Sequence, residues 1–168
     1  MDHCRGDHDG LDPGFTDYSQ TVLYTTHDVT ALLRQGENVI TSVLGSGQYD
    51  SATRTWDWGW EHAEWRATPR LRLDLYITYQ DSSEELVTSD TTWKVTVDGR
   101  TRYDSYYLGE TYDARREIPG SNAPGFDASA WPAARIVGPP AGVVRAQMNE
   151  SIQVVATRPP TGWVGRAR

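Results

Sequence analysis

The densest run of chemically useful side chains is Gly109-Glu110-Thr111-Tyr112-Asp113-Ala114-Arg115, with two carboxylates, a phenol and a guanidinium in one short segment. Groups of this kind are seldom buried without a partner. Two uses fit them. Carboxylates from Glu110 and Asp113, joined by Asp50 from a second loop, supply the hard oxygens that Ca2+ takes at about 2.3–2.6 Å. Alternatively, Arg115 pairs with a carboxylate of its own segment or of a facing strand. If that pair is partly buried, removing Arg115 strands a charge and strongly destabilises the fold.

The second concentration lies between Gly47 and Trp65. It holds Tyr49, Asp50, Trp56, Asp57, Trp58, Trp60 and Trp65. Aromatic faces pack on the C–H face of a pyranose, while carboxylates and amides take its hydroxyls. The segment shows no strand alternation, so a long loop is expected, the kind of element on which binding residues concentrate. Tyr49, Asp50, Trp56, Trp58 and Trp65 are the candidate sugar contacts. Tryptophans that plug one end of a β-sandwich are the alternative reading.

No catalytic pair stands out. A glycosidase needs two facing carboxylates, and none of the 23 acidic residues is singled out by its neighbours. The motifs G-x-S-x-G, H-E-x-x-H and C-x-x-C are absent from the sequence. His3 and His8 fall in a polar start, while His27 and His62 stand alone. No activity is expected from this chain by itself.

These residues need elements to position them. With 168 residues, the chain is long enough for one domain with its own core. The alternation in Leu71 to Tyr79 predicts a half-buried strand. Trp93, Val95 and Val97 repeat it before an Asp98-Gly99 hairpin signal. Val39 to Leu44 reads as a buried central strand and Ile152 to Thr157 as a last strand. Asp28 as N-cap and Gly36 just past the end predict one short helix over residues 28–35. Short strands between Gly, Pro, Asp and Ser clusters give an all-β fold, a jelly-roll-like sandwich of two antiparallel sheets. The expected organisation is an irregular start at 1–10, a domain at 11–158 and a tail at 159–168.

A net charge of −7 argues against nucleic acid and anionic membrane as partners, since both are held by basic patches. It suits a neutral ligand or a cation. Cys4 is the single cysteine, so no intrachain disulfide forms. No apolar run is long enough to span a bilayer, and the chain reads as soluble, in a compartment left open.

Asp28-Val29-Thr30-Ala31-Leu32-Leu33 with Gly36-Glu37-Asn38 resembles a signature of jelly-roll sugar-binding domains attached to large glycosidases. Gly125-Phe126-Asp127-Ala128-Ser129-Ala130-Trp131 is similar to a second element of such domains. The order of the pieces is more telling. Leu11-Asp12-Pro13-Gly14-Phe15-Thr16-Asp17-Tyr18 is followed by the helix signature and Leu44-Gly45-Ser46-Gly47-Gln48-Tyr49. The segment 109–115 and Val144-Arg145-Ala146-Gln147 come after. The series resembles the N-terminal β-sandwich domain of bacterial α-L-rhamnosidases over residues 11–158.

The resemblance implies a non-catalytic accessory domain, with the active site in a separate (α/α)6 barrel. It implies docking on that barrel, binding of L-rhamnose or rhamnose-containing glycans, or both. A purely structural domain and a stand-alone lectin are the other readings. Some relatives hold the sugar through calcium in a loop that corresponds to the residues after Gly47. Here Asp50 is followed by Ser51, where a second Asn or Asp would be the stronger ligand. The opening strand pair usual in such domains is not seen in residues 1–10. An unpaired sheet edge is therefore expected. It would drive self-association, or be covered by residues 1–20 folding back.

Overall fold

The computed structural model describes residues 12–51, 62–105, 107–150 and 155–158. Six short strands are described: β1 (Thr21–Tyr24), β2 (Asp74–Thr78), β3 (Glu84–Thr88), β4 (Thr101–Ser105), β5 (Gly109–Tyr112) and β6 (Val143–Ala146). They pair as three two-stranded ribbons, β1–β6, β2–β3 and β4–β5. The architecture is all-β.

The β2–β3 hairpin follows from its sequence. Leu75 and Ile77 are half-buried while Asp74, Tyr76 and Thr78 face solvent, the alternation expected of a strand with one wet face. Its turn is closed by Asp81, whose Oδ1 accepts from the Ser83 N–H at 2.9 Å. Ser82 takes a left-handed φ of 66° at the tip. In β4–β5, the register shifts between Thr101 and Tyr103, so Arg102 sits at a bulge. Arg102 donates to the carbonyls of Val97 and Gly99 at 3.0 and 3.3 Å. Gly109, at φ 80°, lets the chain re-enter as β5.

Two of the ribbons are antiparallel, as expected; β1–β6 is parallel, from Thr21 opposite Val143 to Tyr24 opposite Ala146. The chain enters this pair through a close backbone approach at Gly142. A Cβ there would lie 2.6 Å from both the Tyr18 carbonyl oxygen and the Thr21 nitrogen. Beyond the ribbon, Gly14 N–H donates to Gln147 Oε1 at 2.8 Å, and Gln147 Nε2 donates to Asp12 Oδ1 at 3.0 Å. Residues 12–14 therefore lie on the far end of β6.

Several expectations are corrected. Residues 39–44 form no strand; Val43 is 81% exposed, for the run finds no ladder partner. Residues 93–97 contribute one bridge, Lys94 opposite Ala133, so Asp98-Gly99 is a bend rather than a hairpin turn. The helix of 28–35 is a single 3-10 turn, Thr30–Leu32, and a second 3-10 turn spans Ala114–Arg116. Of the last expected strand, residues 155–157 are not extended in a ladder, and 152–154 lie outside the described residues. Residues 1–10 and 159–168 also lie outside them. No hydrophobic side chain among the described residues is fully buried; the buried ones are polar, Gln48, Ser51 and Ser105.

Candidate functional site

The loop after Gly45 is held from below by β4. Asp104 Oδ2 accepts the Ser46 N–H at 2.7 Å, and a Cβ on Gly45 would come within 3.0 Å of that same oxygen. Glycine is what allows the backbone to sit on the carboxylate. The loop then turns, with Gly47 at φ 50° and the Asp50 N–H donating to the Ser46 carbonyl at 2.9 Å. It meets the 62–67 segment through Ala67 N–H to the Tyr49 carbonyl, at 3.4 Å.

This brings three aromatic rings together. Tyr18 meets Tyr49 edge-on at 5.3 Å and Trp65 at 5.1 Å, within the range where aromatic pairs attract. Burial raises the Tyr18 phenol above its ordinary value. Beside them, Asp50 Oδ1 pairs with the Arg66 guanidinium at 3.0 Å, the two side chains 28% and 34% exposed. Gln48 and Ser51 flank Tyr49 and Asp50, and both are at least nine-tenths buried. Gln48 Nε2 and Ser51 Oγ have no hydrogen-bond partner among the described residues. Leaving a buried polar group unpaired costs about 1–3 kcal/mol, so this loop gains from anything that hydrogen-bonds there.

Of the expected sugar contacts, Tyr49, Asp50 and Trp65 are thus brought into one cluster. Trp56 and Trp58 lie outside the described residues. Sequence reasoning missed Tyr18 and Arg66. Tyr18 stood within the Leu11–Tyr18 stretch without marking itself, and a pairing across 16 positions, Asp50 to Arg66, leaves no local signal.

The 109–115 segment behaves differently. Arg115 grips Asp113 with both arms, Nε to Oδ1 and Nη2 to Oδ2, each at 2.8 Å. Arg115 also donates its backbone N–H to Asp113 Oδ1 at 3.1 Å. The pairing expected for Arg115 is present, but in solvent: its side chain is 89% exposed. The Arg115 guanidinium holds the Asp113 carboxyl below the usual carboxylate range. Glu110 Oε1 accepts from Thr101 at 3.3 Å across the ribbon. The Tyr112 hydroxyl donates to Glu117, which pushes that phenol up.

The carboxylates named as calcium donors have partners within the chain. Asp50 is neutralised by Arg66 and Asp113 by Arg115. No group of three or more His, Cys, Asp or Glu side chains among the described residues is placed to hold a metal. No helix among them is long and apolar enough to cross a membrane.

Comparison with known proteins assigns this architecture. Residues 3–156 match the family described as the alpha-L-rhamnosidase N-terminal domain. An alpha-L-rhamnosidase of Formosa agariphila is 35% identical over 127 residues, covering 74% of this chain and 13% of that protein. One from Streptomyces avermitilis is 37% identical over 127 residues, covering 76% of this chain and 12% of that protein. The solved structure of an alpha-L-rhamnosidase from Dictyoglumus thermophilum superposes with a TM-score of 0.66 at 34% identity, covering 86% of this chain and 15% of that one. The chain therefore spans between 12% and 15% of the length of these proteins. The chain belongs to the α-L-rhamnosidase N-terminal domain family.

Proposed function

We propose that this chain is the non-catalytic N-terminal module of an α-L-rhamnosidase, a glycoside hydrolase acting on rhamnose-containing glycans, and that it docks on the catalytic part of that enzyme. The observation that carries this is its uncovered apolar surface. Val97 and Met148 are 90% exposed, Val43 81% and Ile136 79%, while no described hydrophobic side chain is fully buried. A domain of this length ordinarily buries an apolar core of its own, so apolar surface left this open calls for a neighbour to cover it. In its relatives, the matched segment is continuous with several times its own length of further chain. Burial against that remainder also closes the ribbons into a sandwich and covers the strand edges, which in the isolated chain favour self-association.

The test compares the isolated chain with the longer enzyme by hydrogen exchange and by dye binding to exposed apolar surface. Docking predicts strong dye binding by the isolated chain, and slowed exchange at residues 136–148 in the longer enzyme. Equal exchange in both, with no dye bound by the isolated chain, would overturn it.

A second reading, glycan binding at the Tyr18, Tyr49 and Trp65 cluster, is favoured by Gln48 Nε2 and Ser51 Oγ beside it, which find no partner among the described residues. Because Arg66 occupies Asp50, binding on this reading does not depend on calcium. Titration with L-rhamnose should give the same affinity in calcium and in chelator. Asp50→Ala, which frees Arg66 and opens the loop, should weaken binding about tenfold. Binding seen only with calcium would refute the calcium-independent form.

A further inference from the structure

A cleft of about 250 Å3 opens where β1 and β6 both end, lined by Tyr24, Thr25, Thr26 and His27 on one side and by Ala146, Gln147 and Asn149 on the other. It belongs to the opposite end of the ribbon from the Tyr18 cluster. There the Gly142 N–H donates to the Tyr18 carbonyl before the strands begin. The cleft is a consequence of parallel pairing. Two strands running the same way deliver the segments after Tyr24 and after Ala146 to one place, and the chain must diverge from there.

Its wall is held by hydrogen bonds. The Gln147 backbone N–H is taken by the Tyr24 carbonyl at 2.9 Å. Its side-chain amide is held at both ends, Oε1 by Gly14 N–H and Nε2 by Asp12. Thr25 Oγ1 and His27 Nε2 lie 3.1 Å apart in a hydrogen bond. The Thr26 hydroxyl and the Asn149 side-chain amide make no hydrogen bond among the described residues, and both residues are exposed. Among the described residues, the lining contains no carboxylate, lysine or arginine, and His27 is its one ionisable side chain apart from the Tyr24 phenol. An ionic ligand would find little counter-charge in it. An uncharged ligand rich in hydroxyls would find free hydroxyl and amide groups beside the ring of Tyr24, the mixture by which polar pockets orient neutral ligands. The volume sets the size. A cavity of about 150 Å3 takes benzene, so this cleft of about 250 Å3 has room for one monosaccharide unit.

We propose that the cleft at the carboxyl ends of β1 and β6 is a second sugar site, binding one neutral monosaccharide unit through Thr26 and Asn149 against the wall that Gln147 holds in place. This rests on the reading of the chain as a carbohydrate-associated module, and it is separate from the loop that carries Tyr49 and Asp50.

The two are told apart by residue-resolved NMR on the isotope-labelled chain, titrated with L-rhamnose in the presence of chelator. The amides of residues 25–27 and 146–149 should shift and saturate. In the double variant Thr26→Val, Asn149→Ala, whose far-UV spectrum should match the parent, the midpoint should rise roughly tenfold or more. In Asp50→Ala, the shifts at these residues should persist unchanged. Saturable shifts confined to residues 45–51 would overturn the second site and leave the loop site standing. No saturable shift anywhere would overturn both.

Discussion

At the scale of the residue, one pattern recurs at five of the 23 acidic residues. Asp17, Asp28, Asp81, Asp90 and Asp127 each stand two residues before a Ser or Thr whose backbone N–H donates to the aspartate Oδ1 at 2.8 or 2.9 Å. This is the local turn that makes Asp a loop former. Hydrogen bonds from Thr30, Ser83, Thr92 and Ser129 hold Asp28, Asp81, Asp90 and Asp127 below the ordinary carboxylate value of 3.8. A carboxyl lowered on folding stabilises in full above the unfolded value and loses that contribution as pH falls through the folded one. The amides of Ser83, Thr92 and Ser129 should therefore titrate in NMR with midpoints below 3.8. Midpoints at or above that value would show that these turns are not held by the ionised form. Arg115 belongs to the same scale. Sequence reasoning expected its removal to be severe, on the premise of burial. A pair whose guanidinium is 89% exposed is worth little, because water screens it and solvates what is left behind. Arg115→Ala should leave the melting temperature within experimental error of the parent. The partner was legible from three charges in one segment; the exposure was not, because it depends on what packs over the ribbon.

Elements were legible where their signal was local. β2 showed itself by alternation, and the loop closing it by Asp81 and Ser83. β3 was missed because Glu84 and Glu85 break the apolar count, though they suit a wet face. Residues 109–112 drew attention as chemistry and proved also to be the strand β5. The Asp28 and Asn38 signature was seen as a helix and is a clamp. Asn38 Oδ1 accepts from Arg34 N–H at 3.0 Å, and its Nδ2 donates to the Arg34 carbonyl at 2.7 Å and the Gly36 carbonyl at 3.0 Å. A side chain that returns to the backbone four residues earlier competes with helix continuation, which is why one 3-10 turn is all that forms. The β1–β6 pair could not be read at all, since nothing local joins residues so far apart in sequence. Its requirement is sharp nonetheless. In Gly142→Ala, the new methyl meets two backbone atoms at 2.6 Å, and backbone cannot move aside as a side chain can. The cost expected is about 1–3 kcal/mol, read as a lower urea midpoint at unchanged slope. Gly99→Ala, with nothing within 4 Å of its Cβ, is the matched control and should change little. Equal midpoints for the two variants would mean that β1 and β6 do not approach as described.

At the scale of the whole molecule, the all-β architecture was legible, but the expected interior was not. Apolar residues placed for a core, such as Val43, Val97 and Ile136, stand in water. Alternation and composition say that a side chain seeks cover. They do not say whether the cover comes from its own domain or from a neighbour; on the docking proposed above, the neighbour is the rest of a longer enzyme. The parallel clasp has a further, mechanical meaning. Tension that arrives through the chain before β1 and leaves through the chain after β6 pulls two parallel strands in opposite senses along their length. All their hydrogen bonds are then loaded together instead of being opened one by one. The long excursion between Tyr24 and Val143 feels none of that tension while the clasp holds. Thermal agitation or a pull along the chain is thus borne by four residue pairs. The loop of Asp50 and the bulge of Arg102 keep their shape in the slack behind them.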